Sequence, residues 1–374
     1  MHKISISKVQ PGMVLGKTIY TLSGSILLVA GMVLSEFFIK RLRDMGIPFV
    51  YIKDSLTNGI EVKDIIDEYT RFETQKAINE VFKRLQQSGK VQLAKTKTVV
   101  NNILNEILSN RNILINLADI RTTYDDEVFG HCANVCILSL ITGVELSYNQ
   151  QQLRDLGIGS LLHDIGKAKI EKQLLNKTDK LTLQEYEFIR KHSQYGFNIL
   201  CQQEEINLIA AHVAYQHHER YDGSGYPRGM VGEEIYEYAR ITAVTDVYDA
   251  MTSERVYRSS RSIRDAVQEL IDSSGTQFDP KIVRAFLKYV AIYPVGSIIY
   301  LNTGEVGVVM DVLRDFPDRP IVKVIIDNQK NMVNDTLVRD LTREGEVEVI
   351  SILNDYDDTL PTIAQLSKRI SKIE

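Results

Sequence analysis

Six of the seven histidines in this 374-residue chain, His131, His163, His192, His212, His217 and His218, fall between residues 127 and 258. At the centre is His163-Asp164-Ile165-Gly166-Lys167, an imidazole beside a carboxylate. A ring nitrogen donates one lone pair to one metal, whereas a carboxylate has two oxygens and can bridge two ions, so this pair suits a multinuclear centre. The bland alternative is a capping Asp beside a partly buried His. Glu127 and His131, four residues apart, share one helix face and can reach a common ion, although such a pair alone is more often a solvated contact. His192 alone would more often be a satisfied core residue; its company raises the ligand reading. His217-His218-Glu219 adds two neighbouring imidazoles that can serve different metals. Asp246 sits on a largely apolar helix, where an ionised, unpaired carboxylate costs several kcal/mol, so it needs a cation. Asp249 is expected to pair with a nearby Arg, and His212 to be an outer or surface residue.

The elements that must position these groups are helices. Leu153, Leu156, Leu161 and Leu162 form the apolar face of a helix over 150–162 that delivers His163 and Asp164 at its end. Thr182 and Glu185 have capping-box spacing, so a helix starts there and places His192 on a face with Phe188, Ile189, Gly196 and Ile199. A helix over 233–252 carries Asp246. Between them, the Gly-rich run Tyr221-Asp222-Gly223-Ser224-Gly225-Tyr226-Pro227 demands tight turns.

Around this core the chain is multi-domain. Residues 1–57 read as a small N-terminal α+β module, 58–119 as a polar helical connector with an apolar stripe suited to core or dimer interface, 120–292 as an all-α catalytic domain, and 293–374 as a small C-terminal β domain and tail. Four period-two runs in the last part lie at 297–301, 305–312, 321–326 and 347–352.

Forty-four basic against 49 acidic residues give a formal charge of -5, which lacks the field that general nucleic-acid binding requires. An anionic substrate must meet local positive groups. Three cysteines make no even disulfide set, and no signal-peptide pattern is seen, so a cytoplasmic protein is expected. The longest mostly apolar runs, 25–34 and 134–146, are shorter than the ~20 residues that span a bilayer; no membrane association is expected.

The motifs HDIGK at 163–167, His192, HHERYDGSGYP at 217–227 and TDVYDAMTSERVYR at 245–258 resemble the HD-GYP subfamily of the HD phosphohydrolase superfamily, which in bacteria degrades cyclic di-GMP. The resemblance covers roughly residues 120–290. It implies an HD-type helical domain in which His163, Asp164, His192, His217, His218 and Asp246 are metal ligands, with Glu127 and His131 as the extra ligands of a three-metal centre. Two or three divalent ions, iron or manganese, are then the cofactors. Asp164 would be the bridging carboxylate and act in catalysis with Lys167, while Lys167, Tyr226, Arg255 and Arg258 would contact the substrate. The implied activity is hydrolysis of cyclic di-GMP to pGpG or GMP. The alternatives are an HD phosphohydrolase acting on another nucleotide, such as cyclic GMP-AMP, or a receptor or scaffold without efficient turnover. The implied partners are cyclic di-GMP, a protein at the GYP loop, and a second copy through the helical connector.

Overall fold

The computed structural model describes residues 1–20, 26–47, 49–53, 57, 59–62, 64–91, 93–110, 127–175, 177, 179–253 and 262–353, the side chains of 3, 127 and 334–336 excepted. The expected substrate residues Arg255 and Arg258 and the side chain of Glu127 therefore lie outside the described part. The chain divides into two compact units, one from the described parts of 1–64 and 290–374, the other from those of 65–111 and 126–289.

The first unit begins with β1 (His2–Ser5), β2 (Val14–Leu15), β3 (Ile19–Tyr20) and β4 (Ile26–Leu28), then α1 (Glu36–Asp44) and β5 (Phe49–Lys53). Strand β5 lies between β1 and β2, antiparallel to both. Ser35 caps α1 by accepting a bond from the Phe38 amide, and Ile39 and Leu42 bury its inner face with Ile4, Leu15 and Val50.

The second unit is helical: α2 (Glu68–Ser88), α3 (Ala94–Ser109), α4 (Glu127–Glu145), α5 (Gln150–Leu161), α6 (Lys172–Leu175), α7 (Leu183–Arg190), α8 (His192–Cys201), α9 (Leu208–Gln216), α10 (Glu237–Thr252), α11 (Ile263–Asp272) and α12 (Pro280–Leu287). The stripes of α2 and α3, read from the sequence as a connector, bury Ile78, Val81, Phe82, Val100 and Ile103 within this unit. Helix α4 is central. By length and composition it could cross a bilayer, but two thirds of that apolar stretch, 67%, is buried inside the unit.

Two boundaries differ from expectation. The helix started by Thr182 stops at Arg190, and α8 begins anew at His192, so His192 does not share a continuous face with Phe188. The helix expected from residue 233 starts at Glu237, after a single 3-10 turn over Gly232–Glu234; the Gln216 side chain accepts the Tyr236 amide at this start.

Returning to the first unit, β6 (Ile298–Leu301), β7 (Val306–Asp311), β8 (Ile321–Ile326), β9 (Met332–Asp340) and β10 (Val349–Ile352) form an antiparallel sheet in the order β10-β6-β7-β8-β9. Strand β9 has no counterpart among the expected period-two runs. Asn334 and Asp335 interrupt its apolar pattern, and the ladder to β8 outweighs their low strand preference.

Candidate metal centre

Four helix termini and one helix middle bring the predicted residues together. His163 and Asp164 follow the end of α5, where Asn149 and Gln152 form a reciprocal capping box at the other end. The next residues make a 3-10 turn, Ile165–Lys169, that packs on the start of α8. Gly166 permits this approach, because a Cβ there would lie 1.9 Å from the His192 carbonyl oxygen and 2.6 Å from the Gly196 amide. The HDIGK glycine thus sets the distance between Asp164 and His192. His217 caps the C-terminus of α9, His218 follows it, and His131 and Asp246 project from α4 and α10.

Backbone carbonyls decide the tautomers of three rings. A carbonyl oxygen only accepts, so the proton lies on Nδ1 of His163 (to Ser160 O, 2.7 Å), His192 (to Ile189 O, 2.7 Å) and His217 (to Val213 O and Ala214 O, both 3.1 Å). Each Nε2 is then a bare lone pair pointing inward. The Nε2 atoms of His192 and His217 face one another at 3.4 Å, and that of His218 lies 3.1 Å from His192 Nε2. Burial is the largest influence on these rings and opposes charging: it lowers the pKa of His192, pushes His217 well below the usual histidine range, and brings His218 down to about 3.

Asp164 stands between two groups. Its Oδ1 is 3.5 Å from His192 Nε2 and 3.9 Å from His217 Nε2, while Oδ2 is 3.4 Å from His163 Nε2 and accepts a bond from Lys167 Nζ. Oδ1 and His163 Nε2 are buried with no hydrogen-bond partner. Burial would raise the Asp164 carboxyl, but the Lys167 ammonium beside it holds it well below the usual range. Orphaned acceptors and facing lone pairs have one common remedy, a cation, so the donor set fits divalent metal. Three groups have ligand atoms within 4.8 Å of one another: His192, His217 and His218; His131, His163 and Asp164; and His163, His217 and Asp246. No cysteine joins these groups among the described residues; Cys132 and Cys136 are buried thiols.

The His131 side is built differently. Its Nε2 lies 2.9 Å from Asp246 Oδ1, and its Nδ1 lies 2.7 Å from Asp249 Oδ2. Burial opposes the imidazolium, yet the two carboxylates outweigh it and raise the ring to about 9. Asp246 is held below the usual carboxylate range against its own burial, first by the His131 bond. Among the described residues no Arg pairs with Asp249; Arg255 and Arg258, just beyond this helix, lie outside them. Asp249 accepts from Asn134 Nδ2 (2.8 Å) and Ser253 Oγ (3.1 Å) as well as facing His131. The available signal was its spacing: Asp249 lies one helical turn beyond Asp246, so both reach the same neighbour on α4.

Lys167 is half-buried and its ammonium, which has three N–H donors, gives one of them to Asp164. Tyr226 stacks on His218, with ring centroids 4.7 Å apart. The GYP loop is anchored beneath by Glu219, whose buried carboxylate accepts the Arg228 and Met230 amides at 2.8 and 3.1 Å. His212 stays away from the cluster, packed among Phe197, Tyr215 and Tyr236.

A family model described as an HD domain matches residues 103–282. A relative from Pseudomonas aeruginosa, a cyclic di-GMP phosphodiesterase, is 34% identical over 73% of this chain and 66% of its own length. The chain carries an HD domain. Proteins with HD domains of this phosphohydrolase group bind divalent metals, in keeping with the clusters above. A second model, a KOW domain associated with HD domains, matches residues 298–359, the C-terminal sheet. The chain is also similar to a 3'3'-cGAMP-specific phosphodiesterase of Vibrio cholerae, 28% identical over 66% of this chain and 46% of that relative. In fold it resembles Bd1817, a HDG"Y"P protein from Bdellovibrio bacteriovorus, with a TM-score of 0.51 at 19% identity over 76% of this chain and 97% of the other. The chain thus spans two thirds or less of the length of these two relatives.

Proposed function

We propose that this chain is a metal-dependent phosphodiesterase that hydrolyses cyclic di-GMP to pGpG or GMP in bacterial second-messenger signalling. The observation that carries this reading is the pair of buried, deprotonated Nε2 atoms of His192 and His217 facing each other at 3.4 Å beside the orphaned Oδ1 of Asp164. We assign the ligands as His163, Asp164, His192, His217, His218, His131 and Asp246, with Glu127 as a further donor, and the ions as two or three of iron or manganese, since imidazole and carboxylate donors without thiolate suit both. Ions held there lower the pKa of water and offset charge on the phosphoryl oxygens. Asp164 presents its oxygens to two ligand groups and Lys167 holds its charge in place; Tyr226 forms the wall beside His218; Arg255 and Arg258 are assigned to phosphate or guanine, where the Arg fork binds bidentately.

The test is turnover of cyclic di-GMP by protein purified anaerobically and loaded with Fe(II) or Mn(II), with the His163→Ala/Asp164→Ala double variant as control. Loss of substrate that requires both metal and the intact pair is expected. No loss under either metal overturns the reading. The cGAMP-specific relative makes 3'3'-cGAMP the second substrate to run, and faster turnover of it would reassign the specificity. Tight binding with metal present and no product would make the domain a receptor.

A further inference from the structure

A cyclic dinucleotide carries two phosphodiesters, and a centre that works on one leaves the other anion to be held elsewhere. The chain's net charge of -5 supplies no general attraction for it. Next to His217 and His218 lies a cleft of about 300 Å³ whose walls include Tyr186, Arg190, Arg220, Tyr226 and Phe278. Arg190 is the last residue of α7, two positions before His192. Its guanidinium carbon sits 4.2 Å from the centre of the Tyr226 ring and 5.9 Å from that of Tyr186. Tyr226 is in turn stacked on His218. The cation is therefore tied to the candidate ligands by a short run of backbone on one side and by an aromatic contact on the other.

Among the described residues only Nη1 of Arg190 has a partner, the Oε1 of Glu187 at 2.5 Å, and Glu187 is 62% exposed. An ion pair so exposed contributes little. The Nε and Nη2 atoms, the edge that forms a two-pronged donor, have no partner among the described residues. A guanidinium laid on an aromatic ring with that edge open is pre-organised for a bidentate bond to a phosphate. We propose that Arg190 is a further substrate-binding residue that holds the second, non-scissile phosphate of a cyclic dinucleotide. This rests on the phosphodiesterase reading above.

The experiment compares Mn(II)-loaded wild type, Arg190→Ala, Arg190→Lys and Glu187→Gln on cyclic di-GMP and on bis(p-nitrophenyl) phosphate, which has a single phosphate, and measures cyclic di-GMP binding by calorimetry. Arg190→Ala is expected to weaken binding and raise KM for cyclic di-GMP roughly 10- to 100-fold, the effect of losing a hydrogen bond to a charged group, and to leave kcat and the one-phosphate substrate nearly unchanged. Arg190→Lys should recover part of the loss, and Glu187→Gln should show none. Equal losses on both substrates, an unaltered cyclic di-GMP affinity in Arg190→Ala, or the same loss in Glu187→Gln would overturn the assignment. Hydrolysis of the one-phosphate substrate by wild type with no binding of any cyclic dinucleotide would instead overturn the cyclic dinucleotide reading, and this proposal with it.

Discussion

The two ends of the His-Asp constellation meet the same demand, a charged group out of water, in opposite ways. At the His192/His217/His218 end, the Nε2 lone pairs of His192 and His217 face each other and the Asp164 Oδ1 has no donor. At the other end His131 is clasped by Asp246 and Asp249, and the two N–H groups of its imidazolium answer one carboxylate each. Unsatisfied donors gain the most from a cation, whereas a self-satisfied imidazolium must first lose its proton and give up a bond. The difference therefore predicts unequal metal affinity: tight at the trio of histidines, weaker and more pH-sensitive at His131.

Asp164→Asn should break both ends at once, since Asp164 shares a ligand group with His131 and its Oδ1 lies 3.5 Å from His192 Nε2. It is expected to lower cyclic di-GMP turnover by roughly 10³-fold or more, the scale of several kcal/mol of lost charge stabilisation, with at least one equivalent of metal missing by elemental analysis. Retention of full activity would show that the ends do not share this carboxylate.

Next in size is the stability of the metal-free protein, which should depend on pH with opposite signs at the two ends. His192, His217 and His218 have lowered pKa values in the folded chain. As pH falls below the ordinary histidine value of about 6.5, the unfolded chain takes up protons that these rings refuse, and stability falls. His131, raised to about 9, stabilises the fold fully below about 6.5 and loses that contribution as pH rises through about 9. Thermal melts of chelator-treated protein from acid to alkaline pH should show both limbs, and added Mn(II) should raise Tm by an amount that shrinks as pH falls, because protons then compete for the three rings.

Asp249→Asn sharpens the comparison at its weaker end. It removes the charge behind His131 without touching the other histidines, and should weaken metal at that end about 10- to 100-fold, the usual cost of losing an outer carboxylate. The smallest effect belongs to the loop beside the cluster: Glu219→Gln leaves one of two amides poorly served and should destabilise by about 1–3 kcal/mol, read as a lower denaturation midpoint with metal content intact.

Residue type and local spacing made the cluster legible. HDIGK, the paired histidines and Asp246 declared themselves by chemistry, and the Thr182–Glu185 capping box formed as expected. What depended on long-range approach stayed hidden. The bonds of Asp249 to His131 and Asn134 were not legible because both partners lie on another helix. The break at Lys191 carries no Pro or Gly to announce it, yet it separates Arg190 from His192 and lets the His192 Nδ1 reach the Ile189 carbonyl. Strand β9 likewise owes its existence to β8, not to its own pattern.

Titration of Mn(II) into metal-free protein tests the account most directly. Wild type should show a tight site and a weaker one, Asp249→Asn should affect only the weaker, and His217→Ala should remove the tight one. Absence of binding, or a single class of sites that Asp249→Asn and His217→Ala weaken equally, would contradict it.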